Sequence, residues 1–137
     1  MADYFVSFNS NSSKSVYPNN TANSFKYVLP IPLHLPGNWE VGLDFINFPN
    51  SQLKDFPIIF VYSDCVTDTV CDQDIVKLLA IIKNDTDNLE ITRRDYYDVL
   101  QKDIRCIEFQ INDEDGKKRV PVSDSDVLYA TLHFKRK

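Results

Sequence analysis

An all-β, antiparallel sandwich is the fold class this chain predicts, and three observations predict it. The chain has nine Phe and seven Tyr against one Met among 137 residues, and aromatic side chains fit a pleated, half-buried surface. Eight strand-like runs occur, and none is unambiguously helical. Long polar connections alternate with short ones along the chain.

The runs follow in order. Residues 4–8 are short and aromatic, and residues 24–29 form the second run. Residues 39–48, opened by the only Trp, alternate: Val41, Leu43 and Phe45 share one face, and Glu40, Gly42 and Asp44 the other. Residues 57–62 contain IIFVY, read as a buried strand. Residues 75–83, IVKLLAIIK, contain Leu, Ala and Lys that also suit a helix, but β-branched neighbours make them a strand. Residues 94–100 suit a strand or one helical turn. Residues 104–111 alternate, with Ile107, Phe109 and Ile111 on one face. Residues 127–134 turn Leu128, Ala130, Leu132 and Phe134 inward and Val127, Tyr129, Thr131 and His133 outward. The expected core comprises Trp39, Val41, Leu43, Phe45, Ile59, Val61, Ile107, Phe109, Leu132 and Phe134.

Eight such runs predict two packed sheets. The long connections, residues 9–23, 47–56, 84–93 and 112–125, follow the first, third, fifth and seventh runs. Strands that shuttle between two ends place alternate loops together, the arrangement of a single eight-stranded jelly roll. These four polar loops are therefore expected at one end, where recognition is usually carried. Pro30, Pro32 and Pro36 fall in the connector after the second run, where a missing N–H costs no ladder bond. Asp115-Gly116 marks a turn in the last long loop.

Length predicts one domain over residues 1–137, with a basic tip at 134–137. A chain of this size buries roughly two-thirds of its unfolded surface and needs no disulfide or metal to fold. Its hydrophobic content of 43% and charged content of 26% exclude wholesale disorder. A net charge of −5 excludes a domain that simply coats nucleic acid. The end Lys135-Arg136-Lys137 runs against that sign: it is either a solvated terminus or a basic tip facing nucleic acid or an acidic partner. Met1-Ala2-Asp3 leads into no apolar signal core, and no run reaches transmembrane length, so synthesis in the cytosol and no membrane partner are expected. Cys65, Cys71 and Cys106 form an odd set without a CxxC pair and read as free thiols. The sequons at Asn11, Asn19 and Asn84 then read as polar loops.

No constellation supports catalysis. His34 and His133 have no Cys, Ser or carboxylate at a recognised spacing, and Cys106 in an alternating strand reads as a core residue. Asp64, Asp68, Asp72 and Asp74 lack the glycine and terminal Glu of a calcium loop, and Asp85, Asp87 and Glu90 are equally unspecific. With only Gly37, Gly42 and Gly116, no phosphate-cradling or dinucleotide loop exists. The expectation is no enzyme, no metal and no cofactor.

Three pieces carry a resemblance: YPNNTANSF (17–25) leading to LPGNWEVGLDFINFP (35–49); FVYSDCV (60–66); and IRCIEFQINDEDGKKRVPV (104–122) with VLYATLHFKRK (127–137). The ordered set resembles the small jelly-roll proteins of Polinton/Maverick-type elements and their viral relatives, in which G-x-W-E-V-x-L, V-Y-x-D and a terminal L-H-F-[KR]-[KR] recur. The resemblance implies a minor capsid, penton-like virion protein, made in the host cytoplasm and assembled there or in the nucleus. Its partners would be copies of itself in a pentameric ring, a major capsid protein, and the genome or an internal protein at the basic C-terminus. Adenovirus and virophage pentons are longer, so this chain has room for the jelly roll alone. The residues expected at subunit or partner contacts are Tyr17, Asn19, Asn20 and Thr21; Arg93 and Arg94 against Asp113, Glu114 and Asp115; and Lys135, Arg136 and Lys137. The alternatives are a receptor- or glycan-binding fibre head with Tyr96 and Tyr97 exposed in a polar pocket, an accessory virion protein, or a module co-opted by a host.

Overall fold

The computed structural model describes residues 3–48, 56–71, 73–83, 91, 95–113, 120–123 and 125–137. Ten strands occur among them: β1 (Asp3–Asn9), β2 (Ser24–His34), β3 (Trp39–Asn47), β4 (Ile58–Ser63), β5 (Thr69–Cys71), β6 (Asp74–Val76), β7 (Leu78–Lys83), β8 (Tyr96–Asp98), β9 (Asp103–Asn112) and β10 (Tyr129–Arg136). Two four-stranded antiparallel sheets, ordered β1-β10-β3-β8 and β2-β9-β4-β7, form the sandwich. Along the chain each connection between sandwich strands passes from one sheet to the other except β4–β7, which stays within the second sheet; this is the jelly-roll order. β5 and β6 form a separate two-stranded ribbon inserted between β4 and β7.

Register fixes the two ends. Asn9 and Asn47 both face Tyr129, so β1 and β3 end where β10 begins. Ser24 faces Gln110, Phe60 faces Asn112 and Ile58 faces Lys83, which brings the starts of β2 and β4 beside the ends of β9 and β7. The four long connections thus start and finish at one end. The β2–β3 and β8–β9 turns, the ribbon and Lys137 lie at the other.

Alternation builds the core. Val6 and Phe8, Phe25 and Tyr27, Ile107, Phe109 and Ile111, and Leu128 to Phe134 at every second position all turn inward. Phe8 meets Phe25 and Phe109 edge-on across the sheets, at centroid distances of 5.8 and 5.9 Å. Trp39 is buried, and its indole N–H donates to the Pro36 carbonyl at 2.8 Å, so its one polar atom is satisfied.

Three expectations need correction. Phe45 is not core: it is 49% exposed. β10 opposes Thr131 to Phe45 but Leu132 to Leu43, which leaves Asp44 as an extra residue in β3. This bulge reverses the parity beyond it, so Ile46 and Phe48 are buried instead. Pro30 and Pro32 lie inside β2 rather than in a connector; pairing with β9 is interrupted between Val28 and Leu33, and β2 is an edge strand, so neither proline removes a ladder bond. The run at 75–83 divides at Lys77, whose carbonyl accepts from Ser63 N–H, giving β6 and β7.

Candidate assembly surfaces

The Asn-rich first loop folds onto the free edge of β2. Asn20 is buried; its amide oxygen accepts from Lys26 N–H at 3.0 Å and its amide nitrogen donates to the Lys26 carbonyl at 2.9 Å. The Ser13 hydroxyl accepts from Val28 N–H at 2.9 Å. These side chains take the place of a neighbouring strand and protect an edge that would otherwise invite pairing. Thr21 bridges to Ser24 and donates to the Asn23 side chain at 2.6 Å. Of the expected contact residues in this loop, Asn19 is exposed and Tyr17 is half-buried. The Tyr17 hydroxyl lies 4.0 Å from Cys106 Sγ, and the Lys26 ammonium sits 5.6 Å from its ring centre. The bond to Cys106 raises the phenol above its usual range.

Arg93, Arg94, Glu114 and Asp115 lie outside the described residues; Asp113 is half-buried at the end of β9. At the C-terminus, Lys135 pairs with Glu40 at 3.4 Å and covers the Tyr96 ring at 4.0 Å, and Lys137 pairs with Asp98 at 2.7 Å. Arg136 makes no ion pair among the described residues, and its guanidinium lies over Gly37. Gly37 has φ of 90°, a backbone that favours glycine.

The outer face of the first sheet carries a row that crosses all four strands: Phe5, His133, Gly42 and Tyr96 stand opposite one another in register. The His133 ring stacks on Phe5 at 4.3 Å, and its Nδ1 is 2.8 Å from the Tyr96 hydroxyl. Tyr96 lies across Gly42, where an added Cβ would meet its ring and the Asp95 carbonyl at 2.9 Å. The outward direction of His133 was legible in the sequence; the pairing that joins these residues is not. Phe5 in the row, and Phe45 and Tyr129 beyond it, are exposed on this face, and Ile58 and Ile81 on the second sheet. Tyr96 and Tyr97 are half-buried, so neither stands out as a flat stacking platform.

At the end away from the four loops, a cleft of about 410 Å³ opens between residues 35–39 and 98–102, beside Lys137. Its lining combines the buried Leu35 and Trp39 and the 49%-exposed Leu100 with the polar Asn38, Asp98, Gln101 and Lys102. Next to it stands the β5–β6 ribbon, in which Val70 and Ile75 face each other in register, 74% and 73% exposed. The stretch TVCDQDIV carried a hairpin signal, two alternating runs about a short polar turn, hidden by its acidic residues.

The groups that carry chemistry elsewhere are dispersed. His34 Nδ1 pairs with Asp103 at 2.7 Å in the open. Burial pushes the Cys65 thiol up to about 12, which keeps it protonated at neutral pH. No group of three metal-ligating side chains occurs among the described residues. Among the described residues, no helix is long and apolar enough to cross a membrane.

No family model and no curated protein matches the sequence. Among solved structures, the chain is similar to the mavirus penton protein, with a TM-score of 0.61 and 8% identity. The match covers 98% of this chain and 99% of the other. The chain therefore has the jelly-roll fold of a solved viral penton protein, at an identity that shows the fold alone.

Proposed function

We propose that this chain is a structural subunit of a virus-type capsid, a penton-like single jelly roll that forms a closed ring at the vertices. The observation that carries the reading is the end-to-end correspondence with a penton protein, in which neither chain extends far beyond the other. A non-enzymatic role fits the same picture: the Cys65 thiol is held protonated, and the two histidines are engaged apart from each other, His34 with Asp103 and His133 with Tyr96. Apolar side chains exposed on both outer faces suit a subunit with neighbours on two sides. A closed ring uses such unlike faces without leaving a free end. In this reading residues 1–137 act as one domain in the virion, beside a major capsid protein. Asn19, Tyr17 and Asp113 lie towards the four-loop end and Arg136 towards the opposite one, the positions from which each would meet a partner. The test is to label the chain in purified particles of its source. Density or label at the five-fold vertices is expected; a chain absent from the particles overturns the reading.

A further inference from the structure

The edges of the two sheets are not finished alike. The β2 edge is closed by Asn20 and Ser13, which bond the backbone of Lys26 and Val28. The β8 edge is closed by residues 65–67: Thr67 N–H donates to the Asp98 carbonyl and Leu100 N–H to the Cys65 carbonyl, each at 3.0 Å. The β1 edge is open. Ser10 N–H donates to the Leu128 carbonyl, so the even-numbered residues of β1 bond to β10 and the odd-numbered ones turn their N–H and C=O away from it. Asn9 confirms the parity, because its N–H donates to the Ser12 hydroxyl and its carbonyl accepts from Ser12 N–H. Phe5 and Ser7 have no such cover among the described residues, so their donors and acceptors face outward unpaired. The strand, DYFVSFN, also lacks the devices that usually blunt an edge: it has no Lys, no Pro and no break in register.

Backbone groups at this spacing match an extended chain, which would add a fifth strand to the first sheet. On the outer face such a strand lies beside Asp3, Phe5 and Ser7. Asp3 is the only charged side chain of β1, and Phe5 is 61% exposed. Ser7 borders a recess of about 350 Å³ that Phe45, Tyr129 and Thr131 also line, so a large side chain beside Ser7 has a place to lie. Copies of this chain do not supply the strand within a ring. Antiparallel pairing of β1 with β1 stops at a two-fold dimer. Antiparallel pairing with β7, which runs towards the same end as β1, turns successive copies end over end and leaves the row open. We infer that the β1 edge binds an extended segment of a different protein, with a basic residue beside Asp3 and an apolar residue beside Phe5, two positions apart. The inference rests on the ring reading only in assigning the strand to another protein.

The test selects binders for the purified full-length chain from a library of random nonapeptides, then measures the enriched peptides on variants. Ser7→Pro deletes the outward N–H and no ladder bond, so it should melt as the native chain does. Ser7→Ala keeps that N–H and loses only the hydroxyl. The enriched peptides are expected to alternate as stated, to bind Ser7→Ala like the native chain, and to bind Ser7→Pro about tenfold more weakly. If Ser7→Pro melts lower, Phe5→Lys takes its place: it keeps every backbone bond and sets a cation against the basic residue, and the same loss is expected. A library that yields no binder, or binders indifferent to these variants, overturns the inference and leaves the ring reading standing on the ring's mass. A native chain found as a dimer or an open row that Ser7→Pro breaks up shows a second copy on this edge and overturns both.

Discussion

Asn20 shows how one side chain can serve the fold rather than a partner. Its amide mimics a neighbouring strand by bonding both backbone groups of Lys26. Asn20→Ala should cost about 1–3 kcal/mol, the range for leaving such groups unpartnered, read as a lower urea midpoint; an unchanged midpoint would show that water replaces the amide freely. Asp64 works in the other direction. Burial raises its carboxyl above the usual range, outweighing the Glu108 N–H that it accepts at 2.9 Å. The folded chain therefore holds this proton to higher pH than the unfolded chain does. The associated stability is present below the unfolded pKa and lost as pH rises through the folded one. Asp64→Asn keeps an acceptor for Glu108 N–H and removes the charge. Melting curves should show the variant more stable than the native chain at neutral pH, with the gap closing as the carboxylate is protonated in acid. A variant less stable at neutral pH would contradict this.

The bulge in β3 can be tested as an element. Phe45 and Phe48 are similar in sequence context, but Asp44 as an extra residue sends one out and the other in. Phe45→Ser should change stability by less than about 0.5 kcal/mol, as exposed substitutions do. Phe48→Ala should cost about 3–5 kcal/mol through the cavity that it leaves. Equal losses by urea titration would mean that alternation runs unbroken through β3. The same comparison shows where the sequence was legible. Alternation located β9 and β10 and their inward sets, because a period of two is a local property. It failed at Phe45 because a bulge is set by the partner strand. Pro30 and Pro32 looked like a connector because edge position and the gap in pairing with β9 are tertiary facts. The ribbon passed unseen because an acidic turn between short β-branched runs reads as a solvated loop.

At the scale of the molecule, the gathering of the long connections at one end was legible in their lengths alone, and the sheet orders agree with it. The candidate surfaces were less so. The first loop reads as a recognition element by composition, yet Asn20, Ser13 and Thr21 face inward to cover an edge. The C-terminal tip reads as a cationic cluster, yet Lys135 and Lys137 meet Glu40 and Asp98. Ion pairs of this kind form between residues far apart in sequence, so net charge along the chain conceals them. What the fold leaves available for assembly lies elsewhere, in apolar groups on both outer faces and at the ribbon end. The central claim is that these surfaces join copies of this chain into a closed ring. Native mass spectrometry of the purified protein tests it most directly: a single species of five copies is expected, and a stable monomer, or a trimer that binds a glycan, would contradict it.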